Sequence, residues 1–167
     1  MKKSIQILNK DQIEQKLNRL AWQIYENNLK EKEIVIIGIE KRGVILARKI
    51  MAYLQEITSF NIVFGVIDIN KSEPYKNQVK LSLKSNDFIN KTVIIIDDVL
   101  NSGQTLIYAT KYFLDTPVKK ISTVVLIDRT HNRYPIKADF TGLSLSTTLQ
   151  EYINVKLSAK DQGVYLT

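Results

Sequence analysis

Hydrophobic positions along this chain follow two periods, and the switches between them mark out its elements. Ile13, Leu17, Leu20, Ala21 and Ile24 recur at helical spacing. They follow Asn9 and Gln12, whose offset suits a capping pair. An amphipathic helix is therefore predicted over residues 10–28. The run IVIIGI at 34–39 is β-branched and does not alternate, as expected of a strand buried on both faces. From Val44, residues Ala47, Ile50, Met51 and Leu54 mark a second helix face. NIVFGVIDI at 61–69 is the next strand. NKSEPYKNQ at 70–78 has no period and reads as a loop, and VKLSL at 79–83 alternates like a half-exposed strand. TVIII at 92–96 is a third buried strand, Gly103 to Leu114 a helix, ISTVVLI at 121–127 a fourth buried strand, and EYINVKL at 151–157 a last one. Strands alternating with helices predict an α/β fold, a parallel twisted sheet with helices on both faces. No repeat, low-complexity stretch or linker interrupts the pattern, so residues 1–167 are expected to form a single domain.

Composition narrows the functional classes. The chain has 167 residues, enough for one core. It has no cysteine, which excludes disulfides and thiolate chemistry. The net charge of +7 suits anionic partners such as phosphorylated metabolites or nucleic acid. A solvated lysine-rich surface accounts for it equally well, because no dense basic run stands out. No apolar stretch approaches the roughly 18 residues of a membrane span. MKKSIQILNKDQ lacks the long apolar run of a leader. These features give the expectation of a cytoplasmic protein without membrane contact.

The stretch VIIIDDVLNSGQT, residues 93–105, begins apolar and ends polar, with Asp97 and Asp98 at the junction. Ligands of open α/β sheets bind beyond the carboxyl ends of strands. Neither carboxylate is cheap to bury, so both are expected at the strand tip, facing solvent or a ligand. Asn101, Ser102 and Gly103 form a turn into the next helix. Its backbone N–H groups, the hydroxyls of Ser102 and Thr105 and the helix dipole would cradle an anion. The segment thus pairs acceptors for hydroxyl groups with a nest for a phosphate, the two features of a phosphorylated sugar. The bland alternative is helix capping by Asp98 or Ser102.

A second segment, GIEKRG at 38–43, follows the first buried strand. Gly38 and Gly43 have Walker spacing, but Val44 and Ile45 stand where Lys-Ser/Thr belongs, which argues against that mode of triphosphate binding. Lys41 and Arg42 open a helix, where cations are unfavourable unless an anion offsets them. Further on, VLIDRTHNRYPIKADFTG at 125–142 carries Arg129 and the chain's one histidine, His131.

Residues 93–105 resemble the phosphoribosyl-pyrophosphate (PRPP) signature of type I phosphoribosyltransferases. In that family the acidic pair holds the ribose 2′- and 3′-hydroxyls and the following turn holds the 5′-phosphate. The resemblance implies PRPP binding by Asp97, Asp98, Val99, Leu100, Asn101, Ser102, Gly103, Gln104 and Thr105. It implies a pyrophosphate loop of Glu40, Lys41, Arg42 and Gly43. The stretch at 125–142, with EKRG and DDVL, is similar to the PyrR family, pyrimidine-operon attenuators that also act as uracil phosphoribosyltransferases. That similarity covers roughly residues 5–160. It implies a small hood over the base, with Arg129 and His131 near the base site. The implied reaction joins PRPP and a nucleobase, uracil foremost, with Mg²⁺ as cofactor and no protein side chain assigned as a metal ligand. A catalytic contribution falls to Asp97 and Asp98 and, from a closing loop at 70–78, to Lys71 or Lys76. A homodimer or higher homo-oligomer and RNA binding are further implications. A purine base and a non-catalytic RNA-binding regulator are the alternative readings.

The chain departs from the family pattern in several places. The turn usually reads DDVLYTGRT, so Asn101 replaces an aromatic residue and Gln104 an arginine. The loop at 70–78 is short and lacks the family's arginine. The hood arginine expected after His131 stands one place later, as Arg133.

Overall fold

The computed structural model describes residues 4–76 and 78–167. The order is β1 (Ile5–Leu8), α1 (Lys10–Glu26), β2 (Glu33–Ile39), α2 (Arg42–Ile57), β3 (Asn61–Asp68), β4 (Lys80–Leu81) and α3 (Ser85–Phe88). It continues with β5 (Thr92–Leu100), α4 (Gln104–Leu114), β6 (Lys120–Asp128), β7 (Phe140–Ser144), β8 (Ile153–Leu157) and β9 (Gln162–Leu166). Asn9 caps α1 as its spacing predicts. Gln12 N donates to Asn9 Oδ1 and Asn9 N donates to Gln12 Oε1, both at 2.9 Å. The helix ends at Glu26, two residues short of the expected boundary.

Six strands form one sheet in the order β4-β3-β2-β5-β6-β7, parallel except at the short β4 edge. Alternation divides its side chains between two layers. Ile34, Ile36, Ile94 and Ile96 pack against α1 and α2, while Val35, Ile37, Val93 and Ile95 pack against α4 and Phe88. The predicted two-faced parallel sheet is the one observed.

Two expectations need correction. EYINVKL is not the last strand, and its β8 lies outside the main sheet. It forms a separate antiparallel sheet in the order β1-β9-β8, whose Val155, Leu157 and Val164 join the α1–α2 core. The second correction concerns β5, which runs to Leu100 rather than stopping at Ile96. β2 pairs with β5 only as far as Gly38↔Ile96, whereas β6 accompanies it to Leu100↔Asp128. β5 therefore outruns one neighbour and leaves a notch beside β2.

That notch is the topological switch point. The crossover from β2 leads through α2 to β3, and the crossover from β5 leads through α4 to β6. The two helices cover opposite faces, so the chain diverges between β2 and β5 and opens a crevice at their carboxyl ends.

Candidate active site

Asp97 and Asp98 occupy the stretch of β5 that outruns β2. Both are nearly inaccessible to solvent, at 3% and 2%, and of the two expected surroundings, solvent or a ligand site, they border a cavity. The burial is supported from three directions. Arg42 Nε lies 3.0 Å from Asp98 Oδ2, and Lys71 Nζ lies 3.5 Å from Asp97 Oδ1. The Asp98 amide donates to Asp97 Oδ1 at 2.9 Å. Burial pushes the Asp97 carboxyl up from 3.8 to about 7. The neighbouring Asp98 adds to this, and Lys71 opposes it only in part. Asp98 Oδ2 is buried and accepts no hydrogen bond, despite its ion pair. The acidic pair thus has unused acceptor capacity at the crevice.

The turn after β5 faces the same space. Gly103 adopts φ 85° and ψ −3° at the N-terminus of α4, a left-handed conformation suited to glycine. A side chain there would also meet Ile136 Cγ2 at 2.7 Å. Ser102 Oγ accepts from Gln104 N at 3.3 Å. The N-cap residue Gly103 brings no side chain, so the amides of α4's first turn beyond Gln104 are left for the crevice beside the acidic pair. Val99, Leu100, Asn101, Ser102, Gly103, Gln104 and Thr105 all line one cavity with Asp97, Asp98, Arg42 and Lys71. Further apolar lining comes from Leu106, Val125 and Ile153. Sequence reasoning did not single these out, because an aliphatic residue on a predicted strand or helix looks the same whether it faces core or cavity.

The segment at 38–43 divides. Gly43 lets the first turn of α2 lie against β5, since a Cβ there would come within 2.8 Å of Ile96 O and 3.2 Å of Asp97 Oδ1. Arg42 points across the crevice to Asp98 and approaches Val155 O at 3.3 Å. Lys41 holds φ 70° and ψ −102°, strained for a residue with a side chain. Glu40 does not line the cavity. The neighbouring Asp68 carboxyl raises the Glu40 pKa, with Lys41 and Lys80 opposing.

The two loop lysines separate as well. Lys71 reaches the acidic pair, while Lys76 pairs with Glu73 at 2.5 Å and stays outside the cavity. Arg129 is 7% exposed and donates to Asn101 Oδ1, Thr147 Oγ1, Thr148 O and Glu151 O. His131 Nε2 bonds to Thr147 O. Both therefore hold the loop between β7 and β8, and neither lines the cavity. Among the described residues no three acidic or histidine side chains cluster as a metal site, and no helix is long and apolar enough to cross a membrane.

Comparison with known proteins identifies the family and the fold. Residues 4–161 match the phosphoribosyl transferase domain. The chain is 38% identical over 148 residues to the Bifunctional protein PyrR of Pediococcus pentosaceus, spanning 83% of this chain and 84% of that one. It is 35% identical over 176 residues to the protein of that name from Oceanobacillus iheyensis, spanning 97% and 95%. Among solved structures, the hypoxanthine phosphoribosyltransferase of Trypanosoma cruzi has a TM-score of 0.77 at 17% identity, covering 96% of this chain and 94% of that one. A hypoxanthine-guanine phosphoribosyltransferase from Bacillus anthracis has a TM-score of 0.74 at 21% identity, covering 89% and 86%. At these identities the structural likeness speaks to the fold.

Proposed function

We propose a reaction for this chain on the premise that it belongs to the phosphoribosyltransferase family and, within it, to the PyrR proteins. The reaction is transfer of ribose 5-phosphate from PRPP to uracil, giving UMP and pyrophosphate. One observation carries it. A buried carboxylate pair with an unused acceptor borders the same cavity as a helix N-terminus whose N-cap, Gly103, brings no side chain, at the switch point of the sheet. Asp97 and Asp98 accept hydrogen bonds from the ribose hydroxyls. The amides and hydroxyls of residues 101–105 take the 5′-phosphate.

The sugar carbon becomes cationic as the diphosphate departs. The protein's task is therefore to orient two reactants and stabilise the leaving charge. Arg42 is central to that task. In the structure it is paired with Asp98. When the ribose hydroxyls take over that carboxylate, the guanidinium is released toward the diphosphate, where its planar fork suits phosphate oxygens. Lys41 adds a cation on the same turn. Lys71 exchanges Asp97 for substrate in the same way when the loop at 70–78 closes and excludes water.

The hard oxygen donors of Asp97 and Asp98 fit Mg²⁺, which binds through one or two carboxylates and substrate phosphates. The ion would neutralise diphosphate charge. We place the reaction in the cytoplasm, in a homodimer or higher homo-oligomer.

A second role rests on the word bifunctional in the relatives' name and on the +7 charge. It is binding of pyrimidine-gene leader RNA on the basic surface. Its affinity should fall steeply with salt. The enzymatic reading is tested by pyrophosphate release from PRPP and Mg²⁺ with uracil, hypoxanthine, guanine, adenine and orotate offered separately. Release with uracil alone supports it. Release with a purine alone replaces uracil with that base. Silence with every base, while UMP still binds, replaces the enzyme with a regulator.

A further inference from the structure

Resting on that reading, we propose that the loop between β7 and β8, which leads into the cavity-lining Ile153, forms the base side of the site, and that Arg129 is a positioning residue coupling it to the phosphate turn through Asn101. Arg129 follows the last residue of β6, and its side chain is almost wholly buried. A buried guanidinium is tolerated only when its donors are used. Here they are used in two directions. Nη1 donates to Asn101 Oδ1 at 2.8 Å, on the turn that would hold the 5′-phosphate. Nε donates to Thr147 Oγ1 at 3.0 Å, and Nη2 donates to Thr148 O at 3.2 Å and Glu151 O at 2.6 Å, all on the loop between β7 and β8. One planar group therefore bridges the two halves of the site. A lysine ammonium, with three donors on one atom, cannot span them.

The backbone around Arg129 reinforces the bridge. Arg129 N donates to Leu100 O at 3.0 Å, and Arg133 N and Tyr134 N both donate to Ser102 O, at 2.8 and 3.1 Å. Thr130 takes φ 55°, held by its amide's bond to Asp128 Oδ1 at 2.8 Å. That bend lets Thr130 and His131 grip the β7–β8 loop at Leu145 and Thr147. Residues 129–134 thus hold the phosphate turn on one side and the β7–β8 loop on the other.

Asn101 is the link that substrate can reach. It is exposed at the turn and lines the cavity, and its oxygen is held by Arg129. An anion that orders the turn also orders Asn101, and through Arg129 the loop that carries Thr147 to Glu151. Binding of PRPP then prepares the base half of the site before the base arrives, which is positive coupling between two ligands.

The test compares the full chain with Asn101→Ala, Arg129→Lys and the double variant. Asn101→Ala removes one bond at an exposed turn and leaves Arg129's three bonds to the loop intact. Coupling predicts that Asn101→Ala raises the KM for uracil by about fivefold, although Asn101 sits on the phosphate side. It predicts that the double variant is no worse than Arg129→Lys alone. Amide exchange supplies a readout independent of turnover. Residues 145–151 should exchange more slowly when PRPP is added to the wild type, and that slowing should be lost in Asn101→Ala. A change confined to the PRPP KM, additive effects, or undiminished slowing in Asn101→Ala would overturn the coupling. If the wild type binds no PRPP, the phosphoribosyl-transfer reading fails instead. The bridge is then decided by exchange without ligand, where unchanged rates at 145–151 in Asn101→Ala refute it and faster rates support it.

Discussion

Replacing Asp97 by Asn should stabilise this protein, and the gain should depend on pH in a defined direction. The Asp97 carboxyl is raised from 3.8 to about 7, chiefly by burial. Between those values the folded chain holds a proton that the unfolded chain has released. Stability therefore falls as pH rises from about 4 to about 7, and the loss is complete above the folded value. An interval from 3.8 to about 7, at about 1.4 kcal/mol for each pH unit, amounts to about 4 kcal/mol at most. Local relaxation and water entry reduce that, so about 2–4 kcal/mol is expected at pH 8. Asn keeps the acceptor for the Asp98 amide and carries no charge to desolvate. Lys71 loses its partner, but its side chain is 47% exposed and returns to water at little cost. For a chain of this size the gain corresponds to a Tm rise on the order of 5–15 °C at pH 8, shrinking toward zero at pH 4. Thermal unfolding of both proteins across pH 4–8 measures it. A variant no more stable than wild type at pH 8, or a gap equal at both ends, would refute a charge buried at a cost.

Four further outcomes follow from the same geometry. Asp98→Asn should cut PRPP turnover at least tenfold in a folded protein, because a charged acceptor for the ribose hydroxyls is lost, and steady-state kinetics measures it. Gly43→Ala should destabilise by about 1–3 kcal/mol in urea unfolding, since its methyl meets the Ile96 carbonyl at 2.8 Å. Lys41→Gly should relieve the backbone at φ 70° and raise stability by about 1 kcal/mol, while the KM for PRPP rises; a loss of stability would contradict the strain. Lys71→Met should lower kcat/KM by about tenfold, and Lys76→Met by less than twofold, because only Lys71 reaches the acidic pair; equal effects would contradict the placement.

Local pattern and global geometry divided the determination of this protein between them. The buried strands and α1, α2 and α4 were legible in the sequence, because apolar period and capping chemistry are written within a few residues of each other. Asn9 and Gln12 alone locate the start of α1. The short strands β1, β7 and β9 were not legible. Four or five mixed residues carry no distinguishing period, and these strands form only where partners distant in the chain supply their hydrogen bonds. The site shows the same division. DDVLNSGQT announced a carboxylate pair and an anion turn through residue types in a fixed order. It did not reveal that β5 runs past β2 and buries both aspartates, because that depends on where a neighbouring strand ends. Nor did it distinguish Lys71 from Lys76, or Arg129 in the cavity from Arg129 behind it. A side chain's type sets the bonds it is able to make. Which of those bonds form depends on the acceptors that folding brings within about 3 Å, and only the tertiary structure decides that.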